Sequence, residues 1–441
     1  MINQFRKLLY IIIMFGPTIS IGQTQPWVKI QTPVNITLRQ LLFVDSLTGW
    51  AAGEAGTIIR TTDGGNNWEI QNSTVQTFIS DIFFLDKNLG WATTTQDFFP
   101  FRSVILKTVN GGEDWIAETY PDSSKFIRTI FFFDSLIGFV GGSYIAHTSD
   151  GGTTWTPAQI DSNMLSGLPV YSFNFFNRQF GYACGGFIDQ AGVIWRTTDF
   201  GFNWSAQGVN VDEVFDIYIL DSLNAITLSG DPEGFFPIAK IRTTNSGDTW
   251  SNDTLSFFGL SFAIDFRTYN EGWSASGYKF LLTTDRGTTW SEFQTPDSSI
   301  VFDLQFTDSR NGYAVGDGGV VLKFDPTLVG VKTESELFND FILYQNFPNP
   351  FNPSTKIRFS ISDLPDGKAG FGFVSLKVYD VLSNEIAVLI SEEKQPGVYE
   401  VEFNAASHSG LSGINGLSSG IYFYQLKAGS FIQTKKMVYL K

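Results

Sequence analysis

Thr61-Thr62-Asp63-Gly64-Gly65-Asn66-Asn67-Trp68 is the stretch that decides the fold, because it recurs. It returns as Thr108-Val109-Asn110-Gly111-Gly112-Glu113-Asp114-Trp115 and as Thr148-Ser149-Asp150-Gly151-Gly152-Thr153-Thr154-Trp155. Further copies, built on Asp199, Asn245 and Asp285, end at Trp204, Trp250 and Trp290. The steps between these tryptophans are 47, 40, 49, 46 and 40 residues. A period of about 40–50 residues, rich in β-branched and aromatic side chains, reads as a propeller or an array. Within each phrase the Asp or Asn side chain can accept from backbone N–H groups just ahead of it, and glycine supplies a positive φ. The phrase is therefore a turn between two strands, sealed by its Trp. No copy has the alternating aspartates of a calcium loop, so no metal is expected at Asp63, Asp150, Asp199 or Asp285.

A second motif lies upstream of each phrase: an anchor, then usually Asp or Asn, then Gly-aromatic. It runs from Phe43-Val44-Asp45…Gly49-Trp50 and Phe84-Leu85-Asp86…Gly90-Trp91 to Phe306-Thr307-Asp308…Gly312-Tyr313, in seven copies. The seventh unit stops at Asp325 without its Trp phrase, while a lone Trp27 stands 41 residues before Trp68. Pro26–Ile30 is therefore read as the outer strand of the seventh unit, which closes the ring and removes an open sheet edge. Each unit reads as four short strands; in the first these are Leu38–Val44, Gly49–Gly53, Thr57–Thr62 and Trp68–Gln71. The expected fold is all-β: a seven-bladed β-propeller over 23–325, a linker over 326–340, and a small β-sandwich over 341–441.

The ends of the chain indicate an address. Residues 1–22 carry Arg6 and Lys7, an apolar run from Leu8 to Phe15, and small residues at Ser20 and Gly22. This pattern reads as a secretory signal peptide, with Gln23 opening the mature chain. Gly16-Pro17 interrupts the run well short of a bilayer span, and no other long apolar segment follows. The mature chain is thus expected to have no transmembrane span. Cys184 is the only cysteine, which excludes an internal disulfide. The net charge is −15, and the excess acid lies between residues 23 and 340, which hold 36 acidic and 18 basic side chains. That balance speaks against nucleic acid and anionic lipid as partners.

Three sets of residues are candidates for function. Enlarged loops between the second and third strands carry Phe98, Phe99 and Phe101 in blade two, and Phe235 and Phe236 in blade five. The link from blade five to six adds Phe257 and Phe258. Loops are normally polar, so these rings read either as a partner-binding rim or as lids packed locally over the core. The innermost strands carry a polar residue three positions before the anchor, among them Asp81, Asp216 and Asp303. Strand alternation puts this set on one face, toward the channel or a neighbouring blade. If the protein is a hydrolase, these carboxylates are its catalytic candidates. Finally, Arg60, Lys107, Arg196, Arg242 and Lys323 recur late in strand three; they read either as an anion-binding ring or as each paired with a nearby acidic residue, and the second is the expectation.

Resemblances sharpen these readings. The Trp phrase resembles the Asp-box, or BNR repeat, of sialidases and related propellers, which implies a structural role for Asp63, Trp68, Asn110, Trp115, Asp150, Trp155, Asp199, Trp204, Asn245, Trp250, Asp285 and Trp290. The unit Gly49–Gly65 resembles the repeat of the Ycf48/Hcf136-like propellers, over roughly residues 27–325; those are non-enzymatic photosystem II assembly factors. Residues 341–441, with Asn346-Phe347-Pro348-Asn349-Pro350-Phe351-Asn352-Pro353, Gly420-Ile421-Tyr422 and a basic last strand, resemble the type A C-terminal sorting domain of the type IX secretion system. That implies export across both membranes, with the secretion machinery as a partner and the cargo released or attached to the cell surface. The expected function is a non-catalytic interaction or adhesion module at the cell surface, binding a surface protein or polysaccharide without a cofactor. The alternative is a carbohydrate-active propeller. The Arg-Ile-Pro motif of sialidases is absent, and with only His147 and His408 no Ser-His-Asp set is credible.

Overall fold

The structure is a computed structural model that describes residues 25–96, 99–161, 164–328, 342–361, 372–382, 384–394, 397–406, 417–428 and 431–441. Residues 1–22, Phe98, most of 326–340 and His408 lie outside the described residues. The chain divides into two compact units, Met1–Val329 and Gly330–Lys441.

The first unit contains seven sheets of at least four antiparallel strands. Each inner strand lies beside the inner strands of both flanking blades, and the seventh lies beside the first. This is a closed seven-bladed β-propeller. In blade one the strands are Leu38–Phe43, Gly49–Gly53, Ile58–Thr61 and Glu69–Gln71. They end slightly short of the expected bounds, since Thr62 and Trp68 belong to the turn. Blade four gains a fifth strand, Gln159–Ile160, which runs parallel to Asn203 and Trp204. Trp27–Ile30 pairs antiparallel with Val321–Phe324 as the outer strand of blade seven.

The anchor and the Gly-aromatic pair explain how blades stack. Phe84 lies 3.5 Å, ring to ring, from Trp50 of the preceding blade; Phe132 pairs with Trp91 at 3.7 Å, and Phe43 with Tyr313 at 3.7 Å. The glycine opposite the anchor in six of the seven blades makes room for that ring: a Cβ on Gly90 would sit 2.4 Å from Phe84. These three inter-blade seams are thus aromatic sandwiches, and such pairs add about 0.5–1.5 kcal/mol each beyond area burial.

The second unit holds two sheets. One contains Ile342–Leu343, Ser354–Ile361 and Gly397–Asn404; the other contains Glu385–Lys394, Gly372–Tyr379, Gly420–Ala428 and Phe431–Tyr439. Ile357, Phe359, Leu376, Phe403, Tyr424 and Met437 form part of their shared core, a small β-sandwich. The Asn-Pro segment is part of it: Asn346 is buried, its N–H donates to the Tyr424 hydroxyl at 2.7 Å, and its amide donates to Thr355 Oγ1 at 2.9 Å. Among the described residues, no helix is long and apolar enough to cross a membrane.

Candidate functional site

The axial carboxylates lie where neighbouring inner strands meet. Asp81 Oδ2 accepts from Ile130 N at 2.9 Å and Thr129 Oγ1 at 2.7 Å, both in blade three. Asp216 Oδ2 accepts from Ile264 N of blade six at 3.0 Å, and Asp303 Oδ2 accepts from Leu41 N of blade one at 2.7 Å. Each uses its other oxygen on the next amide of its own strand, at 2.8 Å. Asp265 makes the same bridge to Phe306 N at 2.6 Å. Sequence reading missed it because it stands one position before its anchor rather than three, although the period-2 pattern puts both positions on one strand face. These aspartates stitch inner strands across blades, and Asp216 lies within electrostatic reach of Asp81, Asp265 and Asp303.

Burial governs their protonation. It pushes Asp81 and Asp216 up to about 6 and Asp265 up to about 7, although the amide bonds pull the other way. Asp303 rises through burial first and the Asp216 charge second. Among the described residues, no group of three or more His, Cys, Asp or Glu side chains is arranged to hold a metal ion.

The Asp-box turns are closed on themselves. Asp63 Oδ1 accepts from Thr61 Oγ1 at 2.9 Å, Asn66 N at 3.0 Å and Asn67 N at 2.9 Å, while Oδ2 accepts from the Asn67 amide. Asp150, Asp199 and Asp285 repeat this pattern, with the residue four ahead supplying both donors. Asn110 and Asn245 accept in the same way from the backbone four ahead. The Trp phrase tryptophans run from fully buried to half-buried at the blade seams: Trp68, Trp115, Trp204 and Trp290 are buried, while Trp155 and Trp250 pack against their clusters from the edge.

Three of the five basic residues of strand three bridge to the Asp-box turn of the next blade, two of them not through acids. Lys107 Nζ donates to Gly151 O at 3.1 Å, and Lys323 Nζ to Asn66 Oδ1 at 2.9 Å. Among the described residues, Arg196 alone of the five makes an ion pair, with Asp248. The expectation of general acid pairing is corrected here: the turn offers carbonyl and amide oxygens at the right height.

The loop phenylalanines divide. Phe235 and Phe236 are 72% and 64% exposed, yet their loop is firmly built: buried Asp231 accepts from Glu233 N at 2.8 Å, Phe235 N at 2.6 Å and Phe236 N at 2.8 Å. Phe258 and Phe99 are also exposed. Phe257 and Phe101 turn inward, Phe257 against the seam of blades five and six and Phe101 against Phe126.

A further set was missed altogether. Arg39, Ser80, Arg128, Tyr171, Phe215, Phe262 and Phe302 each stand immediately before the polar position of an inner strand. The overlooked signal is that this column holds four aromatics and two arginines.

Fold and site together define a closed Asp-box β-propeller whose inner strands are bridged by carboxylates and whose loop face carries exposed phenylalanines. Residues 69–217 match the family model described as photosynthesis system II assembly factor YCF48. The photosystem II stability/assembly factor HCF136 of Oryza sativa subsp. japonica is 23% identical over 298 residues, covering 63% of this chain. This chain spans 64% of that relative's length. Among solved structures, YCF48 bound to D1 peptide superposes with a TM-score of 0.55 at 20% identity, covering 69% of this chain and 99% of that one. The GH74 enzyme of Niastella koreensis superposes with a TM-score of 0.54 at 12% identity, covering 93% of this chain and 74% of that one. At these identities the structural likeness speaks for the fold.

Proposed function

We propose that this chain is an exported, non-catalytic propeller that binds another protein through its loop face. The observation that carries the reading is the loop of Phe235 and Phe236, whose backbone is tied to a buried aspartate while both rings face solvent. A rigid loop that presents two large apolar rings has forgone the option of burying them, and such patches mark partner sites. The likeness to a propeller described as bound to a peptide supports the same use of the fold. Residues 1–22 and 341–441 supply the address: a signal peptide for the inner membrane and a type IX sorting domain for the outer. The test is capture of cell-surface proteins by the full chain and by its Phe235→Ser/Phe236→Ser variant. Loss of a captured partner with an unchanged tryptophan emission spectrum supports the rim; equal capture by both counts against it.

A second reading has one observation in its favour. Carboxyls held near 6–7 beside other carboxyls are what a glycosidase acid requires. Against it, every one of these groups already accepts backbone N–H bonds on both oxygens. Incubation with a panel of polysaccharides and assay of new reducing ends decides between the two: release abolished by Asp216→Asn favours hydrolysis, and no release favours the binding module.

A further inference from the structure

The inner strands of five blades begin with a register shift, at Leu38/Gln40, Ile79/Asp81, Ile127/Thr129, Val170/Ser172 and Val301/Asp303. The skipped residues are Arg39, Ser80, Arg128, Tyr171 and Phe302, and the matching positions in blades five and six are Phe215 and Phe262. A bulge re-aims its side chain and frees it from the strand's alternation. Here the effect is a belt. Phe302 lies 5.2 Å from Phe262, Phe262 5.5 Å from Phe215, and Phe215 5.6 Å from Tyr171, ring centre to ring centre. Arginines cap both ends: Arg39 sits 3.7 Å over Phe302 and Arg128 4.0 Å over Tyr171. Between them stands the short side chain of Ser80, buried, with its hydroxyl turned back to Thr93 of its own blade. The belt lies where the inner strands begin, on the same face as the Phe-bearing loops, and its four aromatics and two arginines are all half-buried.

The two guanidiniums are unusual in their surroundings. Each stacks its face on an aromatic ring, and neither has a hydrogen-bond acceptor or ion-pair partner among the described residues. Arg128 acts electrostatically on Arg39, so two like charges lie near one another. Glu54 and Asp317 act on Arg39, and Glu213 is influenced by Arg128, all beyond ion-pair distance. A stacked guanidinium keeps its N–H edge free, and that edge matches a carboxylate in two-pronged fashion. Beside it runs a contiguous aromatic arc without polar groups other than the Tyr171 hydroxyl.

We propose that this channel mouth is a binding site for an amphiphilic carboxylate, with the anionic head between Arg39 and Arg128 over Ser80 and an apolar body along Tyr171, Phe215, Phe262 and Phe302. The same chemistry is carried by a free aryl or alkyl acid and by the apolar C-terminal residue of a peptide. The site does not depend on the rim loops of the preceding section.

Calorimetric titration of the full chain tests it. The probes are 3-phenylpropionate with its neutral partner 3-phenylpropanol, and N-acetyl-Gly-Phe with its C-terminal amide. The expected result is saturable binding of at least one acid, about tenfold or more tighter than its neutral partner. Binding of the peptide acid alone identifies a chain terminus as the ligand, and of phenylpropionate alone a small acid; binding of both supports the shared chemistry. Arg39→Gln and Arg128→Gln each erase the preference for the acid, and Phe235→Ser/Phe236→Ser leaves it intact. The acid-over-neutral comparison is made on the unaltered chain, so it stands even where a variant fails to fold. Absence of binding by both acids, or equal binding of acids and neutral partners, overturns the proposal.

Discussion

Gly247 shows how one residue holds a blade in place. Its φ is +82°, and a Cβ would come within 2.8 Å of the Tyr182 ring of the preceding blade. Gly247→Ala should therefore cost about 1–3 kcal/mol, from backbone strain and overpacking together. Gly167, with open space around it, is the control and should shift stability by no more than about 0.5 kcal/mol on substitution. Urea unfolding followed by tryptophan emission measures both, since all eleven tryptophans lie between Trp27 and Trp290 in the propeller. The axial aspartates make a second prediction. Their folded pKa values are raised above the usual carboxylate value, so the stability they contribute is present in acid and is lost as pH rises through about 6 to 7. Asp45 and Asp150 behave oppositely: hydrogen bonds, from Lys87 and Thr154 respectively, hold them down to about 2, and their contribution is lost as pH falls toward that value. The urea midpoint should therefore peak near pH 4–5, taking about 4 as the unfolded carboxylate value. A midpoint that climbs from pH 5 to pH 8 would refute this account, and Asp265→Asn should flatten the decline.

At the scale of the element, Trp27–Ile30 matters most. Trp27 is buried, stacked at 4.7 Å on Phe280 and edge-on to Trp273 and Phe324. Trp27→Ala should destabilise the propeller by about 3–5 kcal/mol. Deleting residues 25–30 exposes the edge of Val321–Phe324, and light scattering should then report association that the intact chain lacks. The four-strand rhythm was legible because turn chemistry and the anchor recur at every period. The parallel strand Gln159–Ile160 was not, because its pairing is set by the outer edge of blade four and no local pattern announces it. Glu385–Lys394 was likewise missed: only its partnership with Gly372–Tyr379 makes a strand of that mixed apolar and charged run.

At the scale of the whole molecule, the proposed route of export is checked by sequencing the N-terminus of protein recovered from the culture medium or cell surface. The expected first residue is Gln23, and a chain retained inside the cell with Met1 in place would refute export. Removal of 341–441 should leave the propeller in the periplasm.

The amino-acid sequence by itself determined the number of blades and the turns that separate them, because these follow from local chemistry repeated at a fixed period. It also placed Asp81, Asp216 and Asp303 at equivalent positions. Only the tertiary structure decided what those carboxylates do, since their partners Ile130, Ile264 and Leu41 belong to other blades and lie 49, 48 and 262 residues away. The same holds for the belt of arginines and aromatics. A bulge turns a side chain out of its strand's alternation, so period-2 reading assigns it no face, and closure of the ring then sets Arg39 of the first blade upon Phe302 of the last.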